Sequence, residues 1–201
     1  MRNRTVVLFA LFLAGLFWSV GLSAQDDSIL LHKEHWNYAV FAGGGNGIGV
    51  RSDVHFFRAG GRLGRVMTGQ KGSGWRRGTF ELDMEFTPVD VVFWPHYKSV
   101  YGFGFNPLIM KWNFTGGKKI VPFVEAAGGI IRSADNIPPG DTAKINFQSG
   151  AGFGMHMFTR PNRAITWDIR FTHISNASIG NHNPGINASV QFTLGYTWFK
   201  K

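Results

Sequence analysis

The sequence contains no cysteine and few charged residues, and both shortages exclude classes of protein. Without cysteine, the chain of 201 residues has no disulfide framework, no thiolate metal site and no lipoprotein anchor. Beyond residue 24, no apolar run reaches the roughly 20 residues that a membrane-spanning helix needs. Charged residues make up only 16% of the chain, and 27 glycines do not suit a helical bundle. Stability must therefore come from main-chain pairing and packing in a β protein.

The first 24 residues have the organisation of a secretory signal peptide. Arg2 and Arg4 form a positive start, and residues 6–20 form an almost uncharged apolar core. Small residues then cluster up to Ala24, and a polar segment follows. The apolar core is shorter than a spanning helix requires, which argues against a retained anchor. We expect cleavage near Ala24 and one mature domain over residues 25–201.

The charge balance of the chain indicates its partners. The formal net charge is +9 and aromatic residues make up 15% of the sequence. A basic surface suits nucleic acid or anionic lipid head groups. Export argues against nucleic acid, so we expect outer-membrane lipids as partners.

Apolar and polar residues alternate with period two in several segments, most clearly over 80–86 and 190–198. Such alternation predicts β-strands with one apolar face and one polar face. In the first segment Glu81, Asp83 and Glu85 share the polar face. That face would meet solvent in a soluble sandwich, whereas in a closed barrel it would face the lumen. Arg58 and Arg62, four residues apart, would then supply the opposite charge inside.

The whole pattern predicts an eight-stranded antiparallel transmembrane β-barrel of the bacterial outer membrane, a class with an even strand number and lipid-facing apolar residues. A soluble lipocalin-like barrel is the alternative, but its outward faces should be polar. The expected strands lie near 35–51, 54–69, 75–94, 98–115, 119–134, 143–159, 163–176 and 187–200. Six tryptophans are expected in the aromatic belts at the membrane surfaces: Trp36, Trp75, Trp94, Trp112, Trp167 and Trp198.

The seventh expected strand places two reactive side chains on its apolar face. His173 and Ser175 continue the parity of apolar residues 165, 167, 169 and 171. Residues two apart on a strand lie roughly 7 Å from each other on one face. A hydroxyl becomes an effective nucleophile when an adjacent base takes its proton. If both termini lie in the periplasm, this strand ends near the outer leaflet and its lipid esters.

The segment 173–187, HISNASIGNHNPGIN, resembles the signature of the lipid A 3-O-deacylases, the PagL-like acyloxyacyl hydrolases. The resemblance implies an outer-membrane esterase whose outward-facing Ser–His–acid triad releases an ester-linked 3-hydroxyacyl chain from lipid A of lipopolysaccharide. It assigns these residues to the site: Ser175 as nucleophile, His173 as general base, Asn183 and a main-chain N–H near Ser178 as oxyanion donors, and Asn176 as a support for the geometry.

One position departs from the family pattern, because Asn187 stands where the family has a glutamate. An amide accepts a hydrogen bond from an imidazole but does not offset its positive charge. In a serine protease the equivalent change lowers turnover by roughly 10⁴, chiefly through the wrong tautomer. Strict alternation from Val190 also turns Asn187 toward the lumen, unless the chain bulges. Glu125 is the candidate substitute acid, with Glu85 behind it, whereas Asp168 has the wrong parity.

Other functions follow from other interpretations of the same residues. A non-catalytic structural or lipid-binding barrel with a degenerate site is the main alternative, and a small pore is another. His156 and His182 suggest a metal site with His173. However, His156 lies on another strand without an adjacent carboxylate, so a solvated or interfacial histidine is favoured. We therefore expect neither metal nor cofactor, and leave open whether the chain forms a homodimer.

Overall fold

The chain forms a closed barrel of eight antiparallel strands, in which each strand pairs with its sequence neighbours and the first pairs with the last. The computed structural model describes residues 31–116, 119–140, 142–180 and 182–201. The expected signal peptide, residues 1–24, lies outside the described residues. The strands are β1 (Trp36–Gly47), β2 (His55–Val66), β3 (Gly78–Phe93), β4 (Val100–Phe114), β5 (Ile120–Ile137), β6 (Ala143–Arg160), β7 (Arg163–Ser175) and β8 (Ile186–Lys200).

The predicted fold class is confirmed, and the two ends of the barrel can be named by their connections. The termini end carries the start of β1 and the end of β8, together with the β2–β3, β4–β5 and β6–β7 connections. The loop end carries the β1–β2, β3–β4, β5–β6 and β7–β8 connections. Within the part of the chain described, no helix is long and apolar enough to cross a membrane.

The alternation over 80–86 produces the expected division between wall and lumen. Met84 and Phe86 are 46% and 51% exposed on the outer wall. The three carboxylates between and beside them are buried in the lumen: Glu81, Asp83 and Glu85. The polar face of β3 is therefore the interior face, as a transmembrane barrel requires.

Buried ion pairs cross the middle of the lumen. Glu85 Oε2 accepts a hydrogen bond from Arg62 Nε at 2.6 Å, and Glu85 Oε1 accepts one from Arg170 Nη1 at 3.1 Å. Arg58 Nη2 donates to Asp90 Oδ2 at 2.8 Å. Arg58 and Arg62 thus supply the predicted countercharge. Buried charges are tolerated when they are paired in this way, and ten belong to the set: Arg58, Arg62, Glu81, Asp83, Glu85, Asp90, Lys111, Glu125, Asp168 and Arg170.

Apolar side chains close the lumen on both sides of the charged layer. The loop-end plug is a cluster of buried residues: Val54, Phe56, Val92, Trp94, Val100, Ile131, Ile137, Ile174 and Ile186. The termini-end plug is a second cluster: Leu31, Val66, Val121, Phe158, Ala164 and Phe199. Between the two plugs, a cavity of about 10 Å³ lies beside Arg62 and His156. That volume is enough for one water molecule.

The prediction that Trp94 belongs to an aromatic belt is wrong. Its side chain is 7% exposed and packs in the loop-end plug. A register shift between Thr87 and Asp90 reverses which residues of β3 face inward, and Trp94 continues the inward parity of Val92. Trp36, Trp75 and Trp198 are exposed on the outside, near the termini end.

Candidate active site

Strand β7 presents His173 and Ser175 on the outer wall, where the parity of the sequence predicted them. Phe171 on the same face is 52% exposed, whereas Asp168 and Arg170 face the lumen and are buried. His173 is exposed and Ser175 half-buried. Because β7 ends at Ser175, both side chains lie at the loop end of the barrel.

The pairing of β7 with β6 brings a second hydroxyl beside the histidine. Ser149 is the cross-strand partner of His173, and Phe147 is that of Ser175. Ser149 is exposed on the same outer wall. Directly opposite residues of an antiparallel pair have Cβ atoms roughly 4.5–5.5 Å apart. Ser149 was not identified from the sequence, because the register between β6 and β7 cannot be deduced from the sequence of either strand alone.

A β-bulge in β8 lies opposite His173. Thr172 pairs with Ser189 and Ile174 pairs with Ile186, so two residues of β8 oppose one residue of β7. Ile186 and Ser189 are both buried although they are three residues apart, which a regular strand does not allow. The extra residue turns Asn187 outward, and its side chain is exposed. The chain therefore bulges where strict alternation would have pointed Asn187 into the lumen.

The bulge gives His173 a hydrogen-bond partner. His173 Nδ1 lies 3.1 Å from the main-chain carbonyl oxygen of Asn187, not from its side-chain amide. A carbonyl oxygen accepts and does not donate, so Nδ1 carries the proton of the neutral imidazole. Nε2 is then the unprotonated nitrogen, which is the form that a general base needs.

Asn176 organises the connection 176–185 that follows β7. Its side-chain Oδ1 accepts from the Ser178 N–H at 2.9 Å, and its Nδ2 donates to the His182 carbonyl at 2.8 Å. The side chain is 1% exposed. Ala177 and Ser178 have φ angles of 50° and 62°, a conformation that costs non-glycine residues free energy. The hydrogen bonds of Asn176 stabilise this tight turn beside Ser175.

The two expected oxyanion donors have different placements. Asn183 is exposed, and its Oδ1 accepts from the Asn176 N–H at 3.0 Å. Its Nδ2 is therefore the end of the amide that remains for a substrate oxygen. The N–H of Ser178 instead donates to Asn176 Oδ1 within the turn. Ser178 thus supports the turn, and its own N–H is not aimed at a substrate.

Gly185 brings the end of this connection against the catalytic candidates. Its φ is +56°, which favours glycine. A Cβ atom there would lie 2.9 Å from the Ile174 carbonyl oxygen, 3.5 Å from Ser175 Cβ and 3.6 Å from Asn187 Oδ1. Glycine therefore permits a close approach between the loop, the serine and the bulge.

The structure does not bring the candidate substitute acids to His173. Glu125 is buried in the lumen, where its Oε1 accepts from Arg170 Nη2 at 2.7 Å. Glu85 and Asp168 are also buried inside, paired with Arg62. All three lie on the opposite side of the barrel wall from His173. The interpretation of Glu125 as a substitute acid is therefore corrected: it is part of the lumenal ion-pair network.

His156 also differs from its expected environment. It was expected to be solvated or interfacial, but its side chain is 2% exposed and faces the lumen. Its Nδ1 lies 2.8 Å from the Thr166 hydroxyl, and its ring packs against Phe123 with centroids 4.9 Å apart. Among the described residues, no group of three or more metal-binding side chains lies together.

The sequence profile of the lipid A 3-O-deacylase (PagL) family matches residues 67–197, a range that holds every element of the candidate site. The chain belongs to this family. Membership in the PagL family implies lipid A deacylation in the outer membrane. No curated protein sequence matches the chain significantly.

Solved outer-membrane barrels have related architectures. The outer membrane enzyme PagL aligns with 18% identity and a TM-score of 0.48, over 81% of this chain and 98% of that one. The N-terminal β-barrel domain of Pseudomonas aeruginosa OprF aligns with 13% identity and a TM-score of 0.53, over 83% and 98%. OprG from Pseudomonas aeruginosa aligns with 10% identity and a TM-score of 0.49, over 87% and 99%. The likeness to OprF indicates a shared fold alone.

Proposed function

We propose that this PagL-family barrel is a serine esterase that removes the 3-O-linked 3-hydroxyacyl chain of lipid A, with Ser175 as nucleophile and His173 as general base. One observation carries the proposal: both side chains lie on the outer wall at the loop end, and the Nδ1 of His173 is held by a main-chain carbonyl. An ester in the surrounding leaflet reaches such a wall without entering the barrel. With both termini in the periplasm, after export and removal of residues 1–24, that leaflet is the outer one.

The first half of the reaction forms an acyl-enzyme. His173 Nε2 takes the proton of the Ser175 hydroxyl while Oγ attacks the carbonyl carbon of the ester. The carbonyl oxygen becomes an oxyanion, to which Asn183 Nδ2 donates a hydrogen bond. The bond to the sugar oxygen then breaks, and the imidazolium returns its proton to that oxygen as the sugar alcohol leaves.

The second half regenerates the enzyme. A water molecule gives a proton to His173 Nε2 and its oxygen attacks the acyl carbonyl carbon. The bond between Ser175 Oγ and the acyl group breaks, Oγ recovers the proton, and the fatty acid leaves. Asn176 supports both halves because it fixes the turn from which Asn183 projects.

Substitution of Ser175 with alanine tests the assignment. Ser175→Ala should reduce fatty-acid release from lipopolysaccharide to background, because no other group forms the acyl-enzyme. Ser149→Ala is the matched control, since Ser149 faces outward beside the same histidine and should be dispensable. Mass spectrometry of lipid A after incubation with each purified protein in detergent measures the result. An active Ser175→Ala protein, or an inactive Ser149→Ala protein, would contradict the assignment. A parent protein that releases no fatty acid would favour a non-catalytic barrel.

A further inference from the structure

We infer that the main-chain carbonyl of Asn187, exposed by the β-bulge, orients His173 in place of a side-chain acid. The inference rests on the proposed function and names the third member of its site. It explains how His173 keeps the orientation and tautomer of a general base although the family's acid position carries an amide. The geometry is the 3.1 Å contact between His173 Nδ1 and the Asn187 carbonyl oxygen.

Only an irregular strand offers a carbonyl in this way. In a regular antiparallel ladder, main-chain carbonyls lie in the sheet and bond to neighbouring strands. A bulge interrupts the ladder and leaves one residue without a partner. Here the interruption lies between the pairs Thr172–Ser189 and Ile174–Ile186, directly opposite His173. The carbonyl of Asn187 thereby becomes available to a side chain on the outer wall.

The bulge is anchored from its other side. The carbonyl oxygen of Ala188 accepts a hydrogen bond from the N–H of Ile48 at 2.8 Å, beyond the end of β1. Ser189 Oγ donates to the Thr172 carbonyl at 3.1 Å inside the barrel. Because these bonds hold the two residues that follow Asn187, its carbonyl keeps its position and orients the imidazole independently of the exposed side chain.

The chemistry of a carbonyl accounts for its suitability. In a serine protease, the acid-to-amide substitution lowers kcat chiefly because it permits the wrong tautomer of the histidine. A side-chain amide permits that error because its NH₂ group donates to an unprotonated Nδ1. A main-chain carbonyl only accepts, so it holds the proton on Nδ1 and leaves Nε2 as the base. It lacks the full negative charge that would stabilise the imidazolium.

Substitutions at position 187 separate the side chain from the main chain. Asn187→Ala removes the amide but keeps the carbonyl, so its loss of kcat should be much smaller than the loss expected when the carbonyl itself is withdrawn. Asn187→Glu adds a carboxylate near an imidazole already held, and should raise kcat by about tenfold at most, equivalent to about 1.4 kcal/mol. A loss of more than a hundredfold in Asn187→Ala would show that the side chain orients His173 and would overturn the inference.

Deletion of Ala188 tests the bulge itself. The deletion leaves one residue opposite His173, with Ile186 and Ser189 still facing inward, and returns the carbonyl to the ladder. We expect kcat to fall by up to about 10⁴-fold, the loss that a wrong tautomer gives in a serine protease, with KM little changed. Ala188→Val keeps the chain length and serves as the control, which should remain active. A shift in gel mobility on heating shows that each variant is folded. A folded deletion variant with the kcat of the parent would show that the bulge is not needed to orient His173.

A spectroscopic measurement keeps the inference testable if the deletion variant does not fold. In ¹⁵N spectra of the parent in micelles, at a pH where His173 is neutral, Nδ1 should be protonated and Nε2 unprotonated. Ser175→Ala should give the same spectrum. Protonated Nε2 would overturn the inference whatever the activity. If Nδ1 is protonated as expected but the Ser175→Ala variant is fully active, only the assignment of Ser175 as nucleophile would be wrong.

Discussion

At the scale of single residues, Asn176 connects the end of β7 to the turn that carries Asn183. It follows the proposed nucleophile directly, is buried, and engages both ends of its amide with the main chain. Its N–H additionally holds Asn183. The turn contains two consecutive non-glycine residues with positive φ. Such a conformation persists only where the surroundings stabilise it, so Asn176 holds in place the turn that carries Asn183, the proposed oxyanion donor.

Asn176→Ala should therefore lower kcat/KM by about ten- to a hundredfold and leave the barrel folded. The substitution removes the part-buried hydrogen bonds to the Ser178 N–H and the His182 carbonyl, each of which contributes about 0.5–1.5 kcal/mol. Asn136→Ala is a matched control, because Asn136 donates to the Gly140 carbonyl in another loop-end connection. Its activity should equal that of the parent in the lipid A assay. Equal activities for the two alanine variants would contradict a role for the turn.

At the scale of strands, charged pairs inside the barrel connect strands that are not neighbours. Arg170 on β7 contacts Glu85 on β3 and Glu125 on β5, and Arg62 on β2 contacts Asp168 on β7. These contacts link the strands through the lumen. They therefore hold the cross-section of the barrel in addition to the main-chain hydrogen bonds between neighbouring strands. Removal of one partner leaves an uncompensated buried charge on the others.

Glu85→Ala should lower the free energy of unfolding by about 3–5 kcal/mol, the cost of breaking a buried pair. Asp135→Ala is the comparison, because Asp135 pairs with Lys98 near the surface, where solvent screens the ion pair and its loss should change stability little. Urea titration of both variants, folded into lipid vesicles, measures the difference. A Glu85→Ala variant as stable as Asp135→Ala would show that the lumenal pairs contribute little.

The strands were predictable from the sequence because alternation is a local property of each segment. Each of the eight expected segments overlaps an observed strand, and β7 shows the predicted outward parity of His173. Strict parity is misleading beyond a register shift. The shift between Thr87 and Asp90 on β3 reverses which residues face inward, and Trp94 therefore packs in the loop-end plug.

The parts of the site that depend on pairing between strands were not predictable from the sequence. Ser149 is a neighbour of His173 only through the β6–β7 register, and the bulge at Asn187 exists only relative to β7. Glu125 is the expected substitute acid, but in the structure it pairs inside the barrel with Arg170 of β7, a contact that no local pattern in either strand indicates.

At the scale of the whole molecule, the barrel is a solid body within the part of the chain that the structure describes. The charged layer occupies the middle of the lumen and an apolar plug closes each end. Among the described residues, the polar interior is closed at both ends, and the surfaces open to a ligand lie on the outer wall and the connections.

Reconstitution into planar bilayers should accordingly give no stepwise ion conductance. The apolar plugs exclude the continuous water column that ions need, and the one cavity described between them has room for a single water molecule. A water-filled porin in the same bilayer is the positive control. Discrete steps from this protein, reproducible across preparations, would contradict the sealed lumen.

The sealed interior has a consequence for the supply of water to the reaction. Because the lumen is plugged, the water that releases the acyl group from Ser175 in the proposed reaction would come from the hydrated head groups at the loop end, by the same route as the lipid. Turnover would then depend on the hydration of that leaflet. A tightly packed lipid layer would slow release of the fatty acid and a loosely packed one would speed it, so the state of the membrane would limit the rate of its own modification.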